Sequence, residues 1–325
     1  MSKKIVAFGG GSAIPRLILK PLREMGFEMV GITSMVDNGG STGALRRELN
    51  VLPPGDIRRH LMALANFSPE EEWKEKIWNF RFARNIELSP GHFGHNFANV
   101  LIAALEKNYG FERALDILHD FLHVKGKAFP ATLDKVQLIA ELEDGEFVEG
   151  EDEIDVGENH NRTKKIKRVF LKPEAEGYKK AIEEIEKADV IIAGPGDLYS
   201  SIIPCFLPKG IKEAIMSSKA KKVFICPLMT KLGETQGFSV MDFTREVERY
   251  IGCELDYVVF NNLIPPKDKI EKVKNEGEFL IDLVFFDNVP KEKKFIGENL
   301  FSEEEAGKHD KEKLTNLLVG LIEQS

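Results

Sequence analysis

Residues 29–46 read MVGITSMVDNGGSTGALR, an apolar run that stops at DNGG and continues into a segment compatible with a helix. Val30 and Ile32 are β-branched residues that favour a strand, and the adjacent glycines Gly39 and Gly40 mark a turn. A strand, a tight turn and a helix form the repeating unit of an α/β protein. The stretch therefore predicts a strand that leads into a helix at the edge of a sheet.

Short β-branched runs of the same character recur along the chain, separated by segments with helical periodicity. They are IVAF (5–8), DVIIAG (189–194), KVFIC (222–226), DYVVFNN (256–262) and FLIDLVFF (279–286). Strands that are apolar on both faces and alternate with helices are typical of a parallel sheet covered on both sides. The sequence predicts a Rossmann-like, doubly wound α/β fold with a mostly parallel sheet.

The middle of the chain has a different pattern. Residues 69–124 are mainly helical in periodicity, and two alternating runs within 136–149 flank Asp144-Gly145, a strong hairpin signal. The polar run at 151–165 is interpreted as a loop. We predict one Rossmann-like domain over residues 1–325, with residues 66–172 inserted into it as a helical and β-hairpin segment.

Composition restricts the classes of partner. The chain has 325 residues, 42% of them hydrophobic, and a formal net charge of -8. A general affinity for nucleic acid or for an anionic membrane would need a basic surface, so neither is expected. No run approaches the roughly 18 apolar residues of a membrane span. Three widely spaced cysteines do not form a disulfide framework, and we expect a cytoplasmic protein.

Glycine-rich, polar turns follow three of the predicted strands: GGGSA (9–13), DNGGSTG (37–43) and GPGDLYSS (194–201). Ligands of open parallel sheets bind outside the carboxyl ends of the strands. Glycine lets the backbone approach a phosphate, and a helix that begins there attracts an anion. Each turn alone could be a plain tight turn, but three along one edge favour a phosphate-bearing ligand. GxGxxG and Walker A motifs are both missing, which disfavours a dinucleotide.

Other polar segments are candidates for the same edge. In PPGDIRRHL (53–61), Asp56 is interpreted as the N-cap of a helix, with Arg58 or Arg59 in its first turn. TKLGET (230–235) follows the strand KVFIC. The amides of Asn261 and Asn262 end the next strand and could read a base edge or close a turn.

Together these segments resemble the YvcK/CofD family, over about residues 4–265. The resemblance rests on these motifs: GGGSA, DNGGSTG, PPGDIR (53–58), GHNFAN (94–99), PATLDKVQLIAELEDG (130–145), GPGDLYSSIIP (194–204), MTKLGET (229–235) and Asn261-Asn262. PPGDIR, GHNFAN and MTKLGET are similar to the YvcK branch, that of the gluconeogenesis factor, rather than to CofD proper.

The resemblance implies a Rossmann-like sheet with a nucleotide diphosphate in its crevice. It implies either a UDP-sugar-binding regulator, linked to carbon metabolism and cell-wall synthesis, or a Mg²⁺-dependent transferase that moves a phospholactyl-type group to a deazaflavin acceptor. It also implies a homodimer. Asp37 would be the catalytic and metal-binding residue. The residues assigned to nucleotide or phosphate binding are Gly9, Gly10, Gly11, Ser12, Asn38, Gly39, Gly40, Ser41, Thr42, Gly43, Arg46, Asp56, His95, Asn99, Gly194, Pro195, Gly196, Asp197, Ser200, Thr230, Lys231, Glu234, Thr235, Asn261 and Asn262.

Some positions depart from the pattern of the family. Asn38 stands where the family usually has a second aspartate, so Asp37 alone is a thin ligand set for Mg²⁺. Asp197 replaces a common serine in a turn expected to face phosphate, where a carboxylate would repel a phosphate unless it binds a metal, a ribose or its own helix N-terminus. Lys231 replaces a typical glutamine and could supply a compensating positive charge.

Two histidine pairs and one cysteine suggest other chemistry. His92 and His95 have no obvious third metal ligand nearby, and His119 and His123 are interpreted as solvated residues of a helix. Cys205 has no partner base that would make it a nucleophile. We therefore expect first a UDP-sugar-binding regulatory protein whose insertion reports ligand occupancy to a protein partner. The alternative is the CofD-like transferase.

Overall fold

The strands of the fold are short and mostly buried. The computed structural model describes residues 2–82, 87–89, 92–157, 159–276, 279–286, 288–292, 294–305 and 307–324. The strands are β1 (Lys4–Phe8), β2 (Glu28–Thr33), β3 (Glu87–Ser89), β4 (His92–Phe93), β5 (Lys127–Pro130), β6 (Gln137–Leu142), β7 (Phe147–Glu149), β8 (Ile166–Lys172), β9 (Val190–Ala193), β10 (Lys221–Ile225), β11 (Met229–Lys231), β12 (Tyr257–Asn261), β13 (Leu280–Leu283) and β14 (Phe295–Glu298).

A seven-stranded parallel sheet forms the centre of the fold, in the order β14-β12-β10-β9-β1-β2-β5. The chain adds strands on one side of β1 first and on the other side from β9 onward. The order therefore reverses between β1 and β9, where Ile5 is in register with Val190. This arrangement confirms the predicted Rossmann-like fold, and it places a crevice at the carboxyl ends of β1 and β9.

Helices cover the sheet and connect its strands. They are α1 (Lys20–Glu24), α2 (Gly40–Leu49), α3 (Pro54–Leu64), α4 (Glu72–Trp78), α5 (Phe97–Tyr109), α6 (Phe111–Phe121), α7 (Glu151–Asp155), α8 (Lys179–Glu186), α9 (Ile211–Ser217), α10 (Val240–Ile251), α11 (Lys267–Glu276) and α12 (Lys311–Glu323). Shorter helical turns lie at Pro15–Leu19, Pro69–Glu71, Leu198–Ile202 and Ile203–Cys205.

The hairpin predicted around Asp144-Gly145 is confirmed, because β6 pairs antiparallel with β7 and also with β8. The loop predicted for 151–165 is wrong at its start, where α7 forms directly after Gly150. The division of the chain at 66–172 stays a prediction. Within that segment, β5 is an edge strand of the central sheet.

One strand of the central sheet was predicted in the wrong place. The run FLIDLVFF contributes β13, which pairs antiparallel with β11 outside the central sheet. Its residues are only half-buried, whereas β9 and β10 are almost wholly buried. The outer place beside β12 belongs instead to β14.

Candidate functional site

A polar cleft of about 480 Å³ opens at the carboxyl ends of the central strands. Its lining residues are Gly11, Asp37, Gly39, Gly40, Ser41, Thr42, Asp56, Arg58, Arg59, Arg81, Asn99, Glu151, Asp152, Asp155, Val156, Asp197 and Ser201. The three glycine-rich turns therefore meet in one place, with each contributing at least one residue. This is the edge that the sequence predicts for a ligand.

The first turn, after β1, is held against helix α3. The Gly11 amide donates a hydrogen bond of 2.9 Å to Asp56 Oδ1. Any side chain on Gly10 would clash there, because its Cβ would lie 2.3 Å from Asp56 Oδ2. The interpretation of Asp56 as an N-cap is wrong, since α3 begins at Pro54 and Pro53 is the cap residue. Asp56 instead points across the first turn to line the cleft.

The second turn, after β2, presents the N-terminus of α2 to the cleft. Gly39 is its N-cap residue and has no side chain to satisfy the first-turn amides. Gly40, Ser41 and Thr42 of that turn all line the cleft. Gly43 allows the turn to close, because a Cβ there would lie 1.8 Å from the Asn38 carbonyl oxygen. Unpaired amides and the helix dipole favour an anion at this position.

Asp37 and Asp56 place two carboxyl groups in the cleft. Desolvation and then the charge of Asp56 raise the pKa of Asp37 to about 6. A cation beside them would relieve this repulsion, and oxygen donors of this kind suit Mg²⁺. Asn38 is turned away, because its Oδ1 accepts a 2.8 Å hydrogen bond from the Asp152 amide. The second carboxyl group beside Asp37 therefore belongs to Asp56 rather than to residue 38, and its Oδ1 already contacts Arg59 and the Gly11 amide.

Three arginines bring positive charge to another part of the lining. Arg59 forms an ion pair with Asp56, and Arg81 donates a 2.8 Å hydrogen bond to the Gly94 carbonyl oxygen. Arg58 is only 9% exposed, and its Nε has no hydrogen-bond partner among the described residues. Burial and then the charges of Arg59 and Arg81 lower the pKa of Arg58 to about 10. Such a group favours an anionic ligand.

The third turn, after β9, carries Asp197 beside a buried lysine. Lys231 Nζ lies 3.2 Å from Asp197 Oδ2 and 3.8 Å from Glu234 Oε1, and it also donates to Asp155. Although burial opposes its charge, the carboxylates of Asp197, Glu234 and Asp155 raise the pKa of Lys231. The predicted compensation of Asp197 by Lys231 therefore has a direct geometric basis. Together these residues form the Lys231 cluster: Lys231, Asp155, Asp197 and Glu234.

The Lys231 cluster has oxygen atoms close enough for a metal ion, within 4.8 Å of one another, but the lysine ammonium group already contacts all three carboxylates. Burial, and then the charge of Asp197, raises the pKa of Glu234 to about 8. Glu234 also accepts hydrogen bonds from the Tyr199 amide at 2.9 Å and from Ser200 Oγ at 2.9 Å. Glu234 and Ser200 thus hold the third turn in place.

A second, less polar hollow of about 200 Å³ adjoins the cleft and shares Asp197 with it. Its lining includes the predicted residues Ser12, Pro195 and Gly196. Apolar side chains make up much of the rest: Leu17, Pro227, Leu228, Met229 and Leu280. Arg16, Lys308 and His309 also line this hollow, so the two hollows offer one mixed, partly apolar compartment and one strongly polar compartment along the same edge of the sheet.

Several predicted residues support the cleft from behind. Arg46 donates hydrogen bonds to the carbonyl oxygens of Val36 (2.8 Å), Asp37 (2.9 Å) and Val136 (2.7 Å). His95 is buried, and its Nδ1 lies 2.9 Å from Ser41 Oγ. These contacts fix the segment that carries Asp37 and Ser41.

The remaining predicted residues lie at the ends of strands and contact the backbone. Gly9 accepts a 3.0 Å hydrogen bond from His60 Nε2, and Gly194 has a φ of +78° at the end of β9. Thr230 Oγ1 donates to the Asp282 carbonyl oxygen, and Thr235 Oγ1 accepts from the Lys231 amide. Asn261 and Asn262 hold the backbone at Leu263, Gly297 and Leu300. Within the described parts of the chain, neither asparagine lines the cleft or the adjoining hollow.

Sequence reasoning missed the contribution of α7. Glu151, Asp152 and Asp155 line the cleft, although their run EDEID has the composition of a solvated loop. Burial and the charges of Asp37, Asp155 and Asp56 raise the pKa of Glu151 well above its usual value. The available signal was the position of this acidic run directly after Gly150, which closes strand β7.

The histidines and the cysteine that suggested other chemistry do not form a site among the described residues. The side chain of His92 lies outside the described residues, and His123 contacts Glu71 at 2.9 Å beyond the end of α6. His119 is half-buried rather than solvated. Cys205 is buried, and burial followed by the Asp56 charge raises the pKa of its thiol. Within the described residues, the Lys231 cluster is the group that places three metal-ligating side chains together.

A seven-stranded parallel sheet with glycine-rich turns at its switch point defines a protein of the Rossmann-like α/β class. The family model described as 2-phospho-L-lactate transferase CofD matches residues 5–324. The chain belongs to the YvcK/CofD family.

Individual relatives cover most of the chain. A putative gluconeogenesis factor of Thermotoga maritima is 41% identical over 283 residues, 86% of this chain and 85% of that protein. The gluconeogenesis factor of Bacillus subtilis is 35% identical and covers 99% of this chain and 98% of its own. A crystal structure of a Bacillus halodurans protein of the UPF0052 family is 33% identical, with a TM-score of 0.87, over 98% of this chain and 100% of that chain.

Helices that could cross a bilayer are not found: in the part of the chain that the structure describes, none has both the length and the apolar composition.

Proposed function

We propose that this chain binds a nucleoside-diphosphate sugar, such as a UDP-sugar, and acts as a regulatory protein linked to carbon metabolism and cell-wall synthesis. The observation that carries the proposal is the meeting of the α2 N-terminus, Gly11 and Arg58 in one cleft at the switch point of the sheet. The name gluconeogenesis factor, carried by relatives that match most of the chain, supports the link to carbon metabolism.

The two compartments suit the two ends of such a ligand. The apolar hollow beside Pro195 and Leu228 would take the base, and the polar cleft would take the sugar. The diphosphate would cross between them, beside Gly11 and Asp197. Lys231 offsets the negative charge of Asp197, and amides of α2 add positive potential. In this arrangement binding requires no metal ion.

Calorimetric titration tests this proposal. The ligands are UDP-N-acetylglucosamine, UDP-glucose, GDP and NADP, each with and without Mg²⁺. Saturable binding of a UDP-sugar in the presence of a chelator supports the regulator. A protein that binds none of the nucleoside diphosphates at millimolar concentration would not have the proposed function.

A CofD-like transferase is the second candidate, and the Asp37–Asp56 pair is the observation that favours it. These two carboxylates would hold Mg²⁺, which would neutralise charge on the diphosphate of the donor. A hydroxyl oxygen of the deazaflavin acceptor would then bond to the phosphorus of a phospholactyl-type group as its bond to the nucleotide of the donor breaks, so that the nucleotide leaves with the bonding electron pair and the hydroxyl proton is released to solvent. Asp37→Asn should abolish a metal-dependent turnover by this mechanism, whereas the regulator should show only altered binding. Turnover that survives the substitution would exclude Asp37 as the catalytic residue.

A further inference from the structure

Arg58 is a buried charged residue of the cleft with a side-chain nitrogen that lacks a hydrogen-bond partner among the described residues. Its exposure is 9%, and the structure shows no hydrogen bond from its buried Nε to any described residue. Arg59 and Arg81, by contrast, each have a protein partner. A buried guanidinium nitrogen without a hydrogen-bond partner is costly to the folded state, and the adjacent charges of Arg59 and Arg81 add to that cost, so an anionic ligand explains the position best.

A second buried group in the same cleft also lacks a partner. Asn99 is 4% exposed; its Nδ2 lies 3.5 Å from Ser41 Oγ, while its Oδ1 has no hydrogen-bond partner among the described residues. The Asn99 oxygen can only accept a hydrogen bond, and the Arg58 nitrogens can only donate. Both residues line the same cleft, and together they match a chemical group that combines an oxyanion with a hydroxyl or N–H donor.

The location assigns this group to one end of the ligand. Arg58 and Asn99 line the polar cleft, and neither contributes to the apolar hollow that suits a base. If the diphosphate crosses beside Gly11, then Arg58 faces the part of the ligand beyond the diphosphate.

We propose that Arg58 and Asn99 form a subsite for a carboxylate or phosphate carried by the distal sugar, so that the preferred ligand is an acidic nucleoside-diphosphate sugar. This inference rests on the proposed function and specifies its ligand class. Arg58 binds the oxyanion in a forked, charge-assisted geometry, and Asn99 accepts from a neighbouring hydroxyl or amide of the sugar.

The test uses a matched ligand pair, UDP-glucuronate and UDP-glucose, which differ by a carboxylate in place of a hydroxymethyl group. GDP-mannuronate and GDP-mannose form the same pair on a purine base. The wild-type protein should bind the acidic member about tenfold or more tightly, the effect of one charge-assisted hydrogen bond. Arg58→Gln should reduce that preference to about onefold, because it weakens binding of the acidic member more than binding of the neutral one.

Two further variants separate charge from general damage. Arg58→Lys keeps the positive charge but loses the bidentate geometry of the guanidinium group, so an intermediate preference for the acidic sugar is expected. Arg245→Gln removes an exposed arginine of α10, whose side chain is 70% accessible, and should leave the preference unchanged. Equal affinities of the wild-type protein for the acidic and neutral sugars would overturn the proposal, as would a preference that survives Arg58→Gln.

Inorganic phosphate distinguishes failure of the subsite from failure of the proposed function. If no nucleoside diphosphate binds, the proposed function fails, and the subsite is judged from the thermal unfolding of the wild-type protein and Arg58→Gln in phosphate. Stabilisation of the wild-type protein alone supports the oxyanion subsite. The same response in both proteins, or in neither, refutes it.

Discussion

Replacement of Lys231 by methionine removes the ammonium group that the carboxylates of the Lys231 cluster share. The lysine side chain is 7% accessible and that of Glu234 is 1%, while Asp155 and Asp197 are 24% and 41% accessible. Loss of one member of a fully buried ion pair costs about 3–5 kcal/mol, because it leaves a buried charge without compensation. Since Asp155 and Asp197 also contact solvent, we expect a smaller loss, about 2–4 kcal/mol at pH 8.5.

The loss should depend on pH. Burial raises the pKa of Glu234 from the usual glutamate value of 4.5 to about 8. Between these two pH values Glu234 is therefore protonated in the folded protein but ionised in the unfolded chain. In Lys231→Met, protonation of Glu234 at pH 5.5 removes the most deeply buried negative charge of the cluster, and the loss should shrink to about 1 kcal/mol. Urea unfolding of both proteins at pH 5.5 and 8.5 measures this difference.

A lysine outside the cluster provides the control. Lys308 is 58% accessible and lies 2.8 Å from Glu305, so Lys308→Met should change the free energy of unfolding by less than about 1 kcal/mol at either pH. A loss of stability for Lys231→Met that is below about 1 kcal/mol at pH 8.5, or equal at pH 5.5 and pH 8.5, would refute the account of Lys231 as an internal counter-ion.

Three other predictions concern the residues around the cleft. Because the pKa of Glu234 is about 8 in the folded state, the wild-type protein should lose stability as pH rises from about 4.5 to 8, and Glu234→Gln should remove this pH dependence. If the free energy of unfolding in urea keeps the same slope against pH in the variant, Glu234 is not the cause of the slope. Gly43→Ala should destabilise the protein by more than about 2 kcal/mol in thermal unfolding, because the new Cβ would lie 1.8 Å from the Asn38 carbonyl oxygen. The control is Gly320→Ala in α12, where a Cβ would have no atom within 4 Å; it should stabilise the protein by about 0.5–1 kcal/mol. Arg46→Ala removes donors to three carbonyl oxygens and should cost about 2 kcal/mol of stability and weaken nucleotide binding in calorimetry; full affinity would show that the loop carrying Asp37 keeps its shape without Arg46.

The sheet and the edge that carries the cleft could be predicted from the sequence because they depend on local patterns. A β-branched run followed by glycines specifies both a buried strand and the turn after it, and three such turns occur in strands that are neighbours in the sheet. These turns place Gly11, Asp37 and Asp197 at one edge of the sheet, and all three residues line the cleft. Their role in binding stays a prediction.

Predictions from the sequence were wrong where burial depends on contacts between residues far apart in the chain. FLIDLVFF is as apolar as a core strand, yet its partner is the short strand β11, and apolar content alone does not distinguish the two environments. Likewise, EDEID lines the cleft only because the hairpin of β6 and β7 places α7 against the second turn. There the Asp152 amide bonds to Asn38, 114 positions away in the chain. No local pattern could show that contact.

The distribution of charge within the cleft links its two proposed uses. Carboxylates dominate the side formed by Asp37, Asp56 and Glu151, where burial and then the charges of neighbouring carboxylates raise the pKa of Asp37 and of Glu151, although Arg59 pairs with Asp56. Arg58, Arg59 and Arg81 supply positive charge elsewhere in the lining, and Lys231 offsets part of the charge of Asp155, Asp197 and Glu234 at the third turn. In the proposed regulator the diphosphate passes the Lys231 side without a metal ion, whereas in the proposed transferase it passes Asp37 with a divalent cation. The metal dependence of nucleotide affinity therefore reports which side of the cleft the diphosphate follows, and with it whether the chain acts as a regulator or as a transferase.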